Sequence, residues 1–380
     1  MDVDREHVIL GEVLIVSMAL IVCLISNNRL MIPWFGVIWI LLTIFLVLSM
    51  VRQSYELKHL RDVLLIPVFI TLGIAFAKGN IVRLLCALQA LILGVMVFEA
   101  LAPRVFAGTL NPWDYYANTR FIDDRESWHP DSGLYLSAFR PGGRIMFEWL
   151  GIHRLSSVFL EPVSLGNWCI IVTIFGTAFR RLLSLGTLVF LVLSNIMLII
   201  GSDGRLALTA SVLIVILSTF AHLLPRYINI FYLPAAIFMT IGLATVFGFD
   251  SGADNFPGRI AHTAEVLKGL DLVSILGLDL ARLRGTADSG IGYLILTQSI
   301  VGVIVLWFAI CMLQPPNSRQ ALLLMHGMCI YISLLLMVSF SLFSIKVAAP
   351  LWFLYGFARA RGFLESRLSS LAAAQSTSLA

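Results

Sequence analysis

Three arginines stand where polar stretches turn apolar: Arg154 in "HRLSSVFLEPVSLGNW", Arg205 in "GSDGRLALTA" and Arg259 in "NFPGRIAHTAEVLKGL". A guanidinium at the mouth of an apolar run needs an anion. It binds carboxylate or phosphate bidentately, so these positions suit an anionic ligand. Arg205 opens an apolar run, where a helix dipole disfavours a cation, and an anion in the same cavity would offset that. Three residues suit a base: Asp288 in "RGTADSGIGY", Glu161 seven residues after Arg154, and His262. A carboxylate or an imidazole can take the proton of a hydroxyl. Each has a plainer reading. Glu161 can pair with Arg154 and pin a helix, Arg205 can snorkel to the headgroups, His262 can be an exposed polar residue, and Asp288-Ser289 can cap a helix.

A third group is aromatic. Trp113, Tyr115, Tyr116 and Trp128 lie among acids and arginines in "NPWDYYANTRFIDDRESWHP". Aromatic faces with hydrogen-bonding carboxylates suit a sugar. Interfacial aromatics at headgroup level are the alternative.

The elements that must position these residues are apolar. The chain of 380 residues is 59% hydrophobic and 13% charged. Runs of about twenty apolar residues cross a bilayer as helices. Candidates lie near 8–26, 33–51, 63–78, 82–101, 163–179, 182–200, 206–224, 228–248, 291–312, 321–343 and 346–358. Continuous apolarity without alternation favours helices over barrel strands. The expected fold is all-α: a polytopic inner-membrane helical bundle of about 11 transmembrane helices. "MDVDREH" before the first run is mixed in charge, so that run reads as a retained span rather than a removed signal peptide.

Two polar stretches interrupt the spans, 102–162 and 249–290, and are expected to be large external loops containing short helices. They hold 13 and 10 charged residues of the chain's 48, nearly half the charge in about a quarter of the length. The working surface is expected there. The organisation is then N-terminal helices 1–101, first loop 102–162, central helices 163–248, second loop 249–290, C-terminal helices 291–358 and a loose tail 359–380. Arg180, Arg181, Arg226, Arg319, Arg359, Arg361 and Arg367 share one side, which the positive-inside rule makes cytoplasmic. Both loops then face the periplasm. "RQSYELKHLRD" (52–62) fits less well, because it would be external despite Arg52, Lys58 and Arg61. Glu12 and Glu99 lie close to span ends. Cys23, Cys86, Cys169, Cys311 and Cys329 lie in or beside apolar runs without metal-ligand spacing, and read as small buried residues. A net charge of +4 does not argue for nucleic acid.

In this order, the stretches resemble the bacterial O-antigen ligase and Wzy-type polysaccharide polymerase superfamily. The matching positions are Arg154 with Phe159 and Pro162, then Arg205, then Gly258-Arg259, then Asp288-Ser289, spanning roughly residues 140–305. Ligases of the superfamily carry His followed by Asn, Ser or Gln, nine residues, then Gly. This chain has Asp288-Ser289, nine residues, then Ser299, with Gly302 three further on. That departure points to the polymerase branch, with xanthan-type exopolysaccharide polymerases the nearest comparison. The resemblance implies a metal-independent glycosyltransferase without cofactor. Its donor is a polyprenyl-diphosphate-linked oligosaccharide in the membrane, and chain-length regulators and export proteins are its protein partners. Arg154, Arg205 and Arg259 would stabilise the departing diphosphate. Asp288, then Glu161, then His262 would serve the acceptor hydroxyl.

Three other readings stand beside it. A ligase would move finished glycan to a different acceptor. A lipid-linked oligosaccharide flippase would show ionisable residues at mid-membrane and broken helices. A non-enzymatic assembly partner would not need three arginines at one mouth.

Overall fold

A computed structural model describes residues 5–26, 28–120, 132–135, 138–139, 146, 153–252, 255–286, 288–313 and 318–378. Every regular element among them is helical. The α-helices run in the order α1 (Arg5–Ser26), α2 (Ile32–Arg52), α3 (Leu57–Ala75), α4 (Ile81–Leu101), α5 (Pro103–Leu110), α6 (Pro112–Arg120), α7 (Pro162–Ala178) and α8 (Leu185–Ser202). There follow α9 (Arg205–Phe220), α10 (Asn229–Phe247), α11 (Phe256–Lys268), α12 (Leu272–Ile275), α13 (Gly290–Met312), α14 (Arg319–Leu336) and α15 (Ile345–Ser378).

Seven of the described helices are long and apolar enough to cross a membrane: Glu6–Ser26, Arg29–Arg52, Ile81–Leu101, Leu185–Ser202, Arg226–Phe247, Gly290–Met312 and Arg319–Leu336. The chain is a membrane-embedded helical protein. The other four expected spans are helices too, but they fall short. α7 has 17 residues and α9 has 16, under the ~20 that a bilayer core asks of an upright helix. α3 begins with Lys58, His59, Arg61 and Asp62, and α15 carries Arg359 and Arg361 among its apolar residues. Large apolar side chains on the spans stay uncovered by protein, such as Ile25, Leu185, Phe238 and Val246. Lipid is the solvent that suits them. The tail, expected to be loose, continues α15 to Ser378. Its Ala, Ser, Leu and Gln are compatible with helix, and neither Pro nor Gly follows Gly362 to end it.

The chain packs as two units. The first comprises residues 1–18 and 79–216, the second 19–78 and 217–380. The first is built on α4, α7 and α8. A buried polar relay ties the three: Trp168 Nε1 donates to Gln89 Oε1 at 2.7 Å, and Gln89 Nε2 donates to Ser194 Oγ at 2.8 Å. Gly201 lets the end of α8 touch α4, since a Cβ there would stand 2.7 Å from Met96 Sδ.

In the second unit α3 lies along α15. Their backbones meet at Gly73 and Gly356, where a Cβ would lie 2.1 Å from Phe353 O and 1.9 Å from Ile70 O. Small residues permit such approach between membrane helices. Trp34 packs edge-on against Tyr355, and Tyr355 Oη donates to Ile310 O at 2.8 Å. α13 is not continuous: Ser299 has φ 62° and ψ 165°, which breaks it into two half-helices.

Candidate functional site

The first unit brings several of the sequence-selected residues together. α7 starts where the sequence predicts, with Pro162 in its first turn and Glu161 at the N-cap position. The segment before it, 153–160, is held by Glu99, which is 1% exposed. Its Oε2 accepts from Ser156 N at 2.9 Å and Ser157 N at 2.7 Å. Its Oε1 accepts from Ser156 Oγ at 3.1 Å and stands 3.3 Å from His153 Nε2. This grip sustains left-handed backbone at Ser157 (φ 52°) and Leu160 (φ 59°), each a cost of about 1–2 kcal/mol. Strain of this kind persists only where surrounding contacts over-determine it.

Arg154 lies inside that gripped segment and is buried. Its Nε donates to Ser202 O at 3.1 Å and stands 3.9 Å from Asp203 Oδ2. Asp203 ends α8 in left-handed conformation (φ 49°), and its Oδ1 accepts from Met146 N at 2.7 Å. Arg205, half-buried, opens α9 two residues later, with its N–H on Asp203 O at 3.1 Å. The turn 202–205 therefore sets the Arg154 guanidinium beside a buried carboxylate and starts α9 at Arg205 through a backbone hydrogen bond. Gly204 and Gly166 pack this turn on the start of α7, their Cα positions close enough that a Cβ on Gly204 would stand 3.7 Å from Gly166 Cα.

Glu161 lies half-buried with Tyr135 Oη at 3.3 Å from its Oε1 and Ser164 Oγ donating to its Oε2 at 2.8 Å. Of the expected sugar platform, Tyr116 stacks edge-on between Tyr115 and Tyr135, at 4.9 and 4.7 Å. Its hydroxyl donates to Phe159 O at 3.3 Å. Trp113 and Tyr116 are buried, and Tyr115 is half-buried. The aromatics thus brace the loop onto the 159–161 turn, and Tyr115 is the one among these three with an open face. Trp128 lies outside the described residues.

The second unit holds the rest. Asn255 caps α11 through its side chain on Gly258 N at 2.8 Å, which puts Arg259 in the first turn, as its position after Pro257-Gly258 predicts. Arg259 Nη1 reaches Asp288 Oδ1 at 3.6 Å, with side-chain exposures of 26% and 45%. Asp288 is held left-handed (φ 63°), and Ser289 caps α13 on Gly292 N at 3.3 Å. So the cap reading of this tripeptide is correct for Ser289, while Asp288 projects free of the capping role toward Arg259. His262 follows one turn after Arg259. Its Nε2 is buried and has no hydrogen-bond partner among the described residues. Both residues are half-buried, with the Asp288 side chain 45% exposed and His262 Nε2 buried.

Sequence reasoning did not select Asp203 or Glu99 as site residues. Asp203 stood inside the quoted "GSDGR", and an acid two residues before a helix-opening arginine was the available signal. Glu99 was visible as a lone acid near the end of an apolar run, where an unpaired carboxylate would be costly. The chain matches no protein-family model, no curated protein and no solved structure.

Proposed function

We infer that this chain polymerises a bacterial surface polysaccharide or exopolysaccharide. It would transfer a growing glycan from polyprenyl diphosphate to the terminal sugar hydroxyl of another lipid-linked repeat, at the periplasmic face of the inner membrane. The observation that carries this reading is the Arg259–Asp288 pair. Two residues picked separately, each for one half of the chemistry, stand 3.6 Å apart at the mouth of α13. The resemblance to the O-antigen ligase and polymerase superfamily supports the same roles.

In the reaction the acceptor O–H loses its proton to the Asp288 carboxylate. Its oxygen bonds to the donor's anomeric carbon. The bond from that carbon to the phosphate oxygen breaks, and its electron pair leaves with polyprenyl diphosphate. Arginine cations already in place stabilise the growing charge on the leaving group. Within the second unit we assign that role to Arg259, beside Asp288. Membrane lipids surround the protein, and chain-length and export proteins would receive the product.

A second reading takes weight from the broken α13 and the buried Asp62, features that transporters use. It is a lipid-linked oligosaccharide flippase. Deleting the gene and sizing lipid-linked and released glycans separates the readings. Single repeats stranded on periplasmic lipid mean a polymerase. Arg259→Ala and Asp288→Ala should then fail to restore long chains. Full-length polymer left on the lipid means a ligase. Repeats trapped on the cytoplasmic face mean a flippase.

A further inference from the structure

The segment 52–62, whose basic residues sit poorly with the charge rule, is occupied inside the second unit. Arg52 ends α2. Its Nε donates to Gly277 O at 2.5 Å, and its Nη2 donates to Leu296 O at 2.9 Å and Thr297 O at 3.0 Å. Leu296 and Thr297 lie in the last turn before the break at Ser299. The final carbonyls of a helix lack partners in their own helix, and a cation there complements the dipole. Arg52 thus closes the end that the break opens. Gly277 (φ 72°) lies flat against it: a Cβ would stand 2.9 Å from Arg52 Nη2 and 2.9 Å from Ser299 N.

The same segment holds the half-helix at two more places. Gln298 Nε2 donates to His59 O at 2.9 Å. Tyr293 Oη donates to Asp62 Oδ2 at 2.6 Å, while Arg61 holds Asp62 Oδ1 at 2.7 and 3.0 Å. The half-helix 290–298 is therefore a short rod. It is gripped from 52–62 at its break end through Arg52 and His59 and in its first turn through Asp62, and it carries Ser289 and Asp288 beyond that turn.

We propose that Arg52 is a positioning residue that fixes this rod, and with it the distance from Asp288 to Arg259. This rests on the reading of Asp288 as the base. A nine-residue rod is about 13 Å long. A tilt of about ten degrees at the break moves its far end by roughly 2 Å, and a misplacement of about 1 Å can cost about a hundredfold in rate. Lysine cannot replace the arginine fully. An ammonium is a single point charge, and the guanidinium is a planar fork that serves three carbonyls at once.

The test uses full-length Arg52→Gln and Arg52→Lys. Hydrogen exchange is followed over residues 293–302 in lipid nanodiscs, and polysaccharide synthesis in the deletion strain. The expected result for Arg52→Gln is exchange faster by roughly tenfold and synthesis slower by roughly a hundredfold, with Arg52→Lys between it and the native chain. A variant that is only less folded would exchange faster throughout the chain, and not over 293–302 alone. If Arg52→Gln does not fold, Arg52→Lys and Gly277→Ala carry the same comparison. Unchanged exchange overturns the proposal, and so does faster exchange with native rate. If Arg259→Ala and Asp288→Ala still make long chains, the polymerase reading has failed. The positioning role then falls with it, while exchange still reports whether Arg52 holds the rod.

Discussion

Arg154 and Asp203 form a buried pair in the first unit, Nε to Oδ2 at 3.9 Å, with neither side chain more than 4% exposed. Removing one partner of such a pair costs about 3–5 kcal/mol. Asp203→Asn keeps a residue that tolerates the left-handed backbone and removes the charge. It should lower the unfolding temperature clearly in detergent, as should Arg154→Met. The double variant should lose less than the sum, with a coupling of about 0.5–3 kcal/mol. Additive losses would mean that the two charges do not act as a pair.

Glu99 predicts a local effect. Glu99→Ala strips the acceptor from two backbone N–H groups and one hydroxyl at 156–157, a loss of at least about 2 kcal/mol. The turn should open before the rest of the protein, and limited trypsin digestion should cut faster after Arg154. Glu99→Gln retains one oxygen and should be intermediate. Equal cleavage in all three proteins would show that the carboxylate does not hold the turn.

Helix contact in the second unit can be tested with a single methyl group. Gly73→Ala and Gly356→Ala push a Cβ into backbone at 2.1 and 1.9 Å. Overpacking costs about 1–3 kcal/mol, sometimes more. Both should reduce the monodisperse fraction on size exclusion. Gly94→Ala and Gly176→Ala meet nothing within 4 Å. Helix propensity alone should make these neutral or better by up to about 1 kcal/mol.

The second loop should respond to acid. Ser274 N donates to Asp271 Oδ1 at 2.8 Å and Arg282 Nη2 stands 2.8 Å from Oδ2. The Ser274 hydrogen bonds first, and the Arg282 charge after them, hold the Asp271 carboxyl below its usual range. A depressed folded-state value gives stability that is fully present above the unfolded value and lost as pH falls through the folded one. Exchange over 269–282 should therefore rise on acidification below the ordinary aspartate range. In Asp271→Asn that rise should be smaller, from a looser starting point at neutral pH.

Most spans were visible in the sequence because length and unbroken apolarity decide them locally. Helix starts were visible where Pro162 or Pro257-Gly258 marks them. Partner choice was not. Sequence nearness offers Glu161 to Arg154, while the fold supplies Asp203, 49 positions away, by returning α8 to the same turn. Arg52 looked like a topology signal, yet its partners lie 225 to 245 positions on. Ser299 sits in "LILTQSIVG", an apolar run that reads as continuous helix; its break is a tertiary effect, held by Arg52 and Gly277. The aromatics suit a sugar platform or interfacial anchors alike, because exposure is not written in composition. Packing buries Trp113 and Tyr116.

The crossing of α3 with α15 also dictates an order of assembly. α3 ends at Ala75 and α15 begins at Ile345, so the 269 residues from 76 to 344 must be made between them. At about 5–20 residues per second of synthesis, α3 waits for its glycine-to-glycine neighbour for roughly a quarter of a minute to a minute. During that interval Gly73 is bare, and until α13 emerges Asp62 is not yet met by Tyr293. The stretch 79–216 has no such wait, since α4, α7 and α8 emerge close together. The newborn chain thus completes its middle first, and its early helices need a provisional companion, lipid or insertion machinery, until the last one arrives.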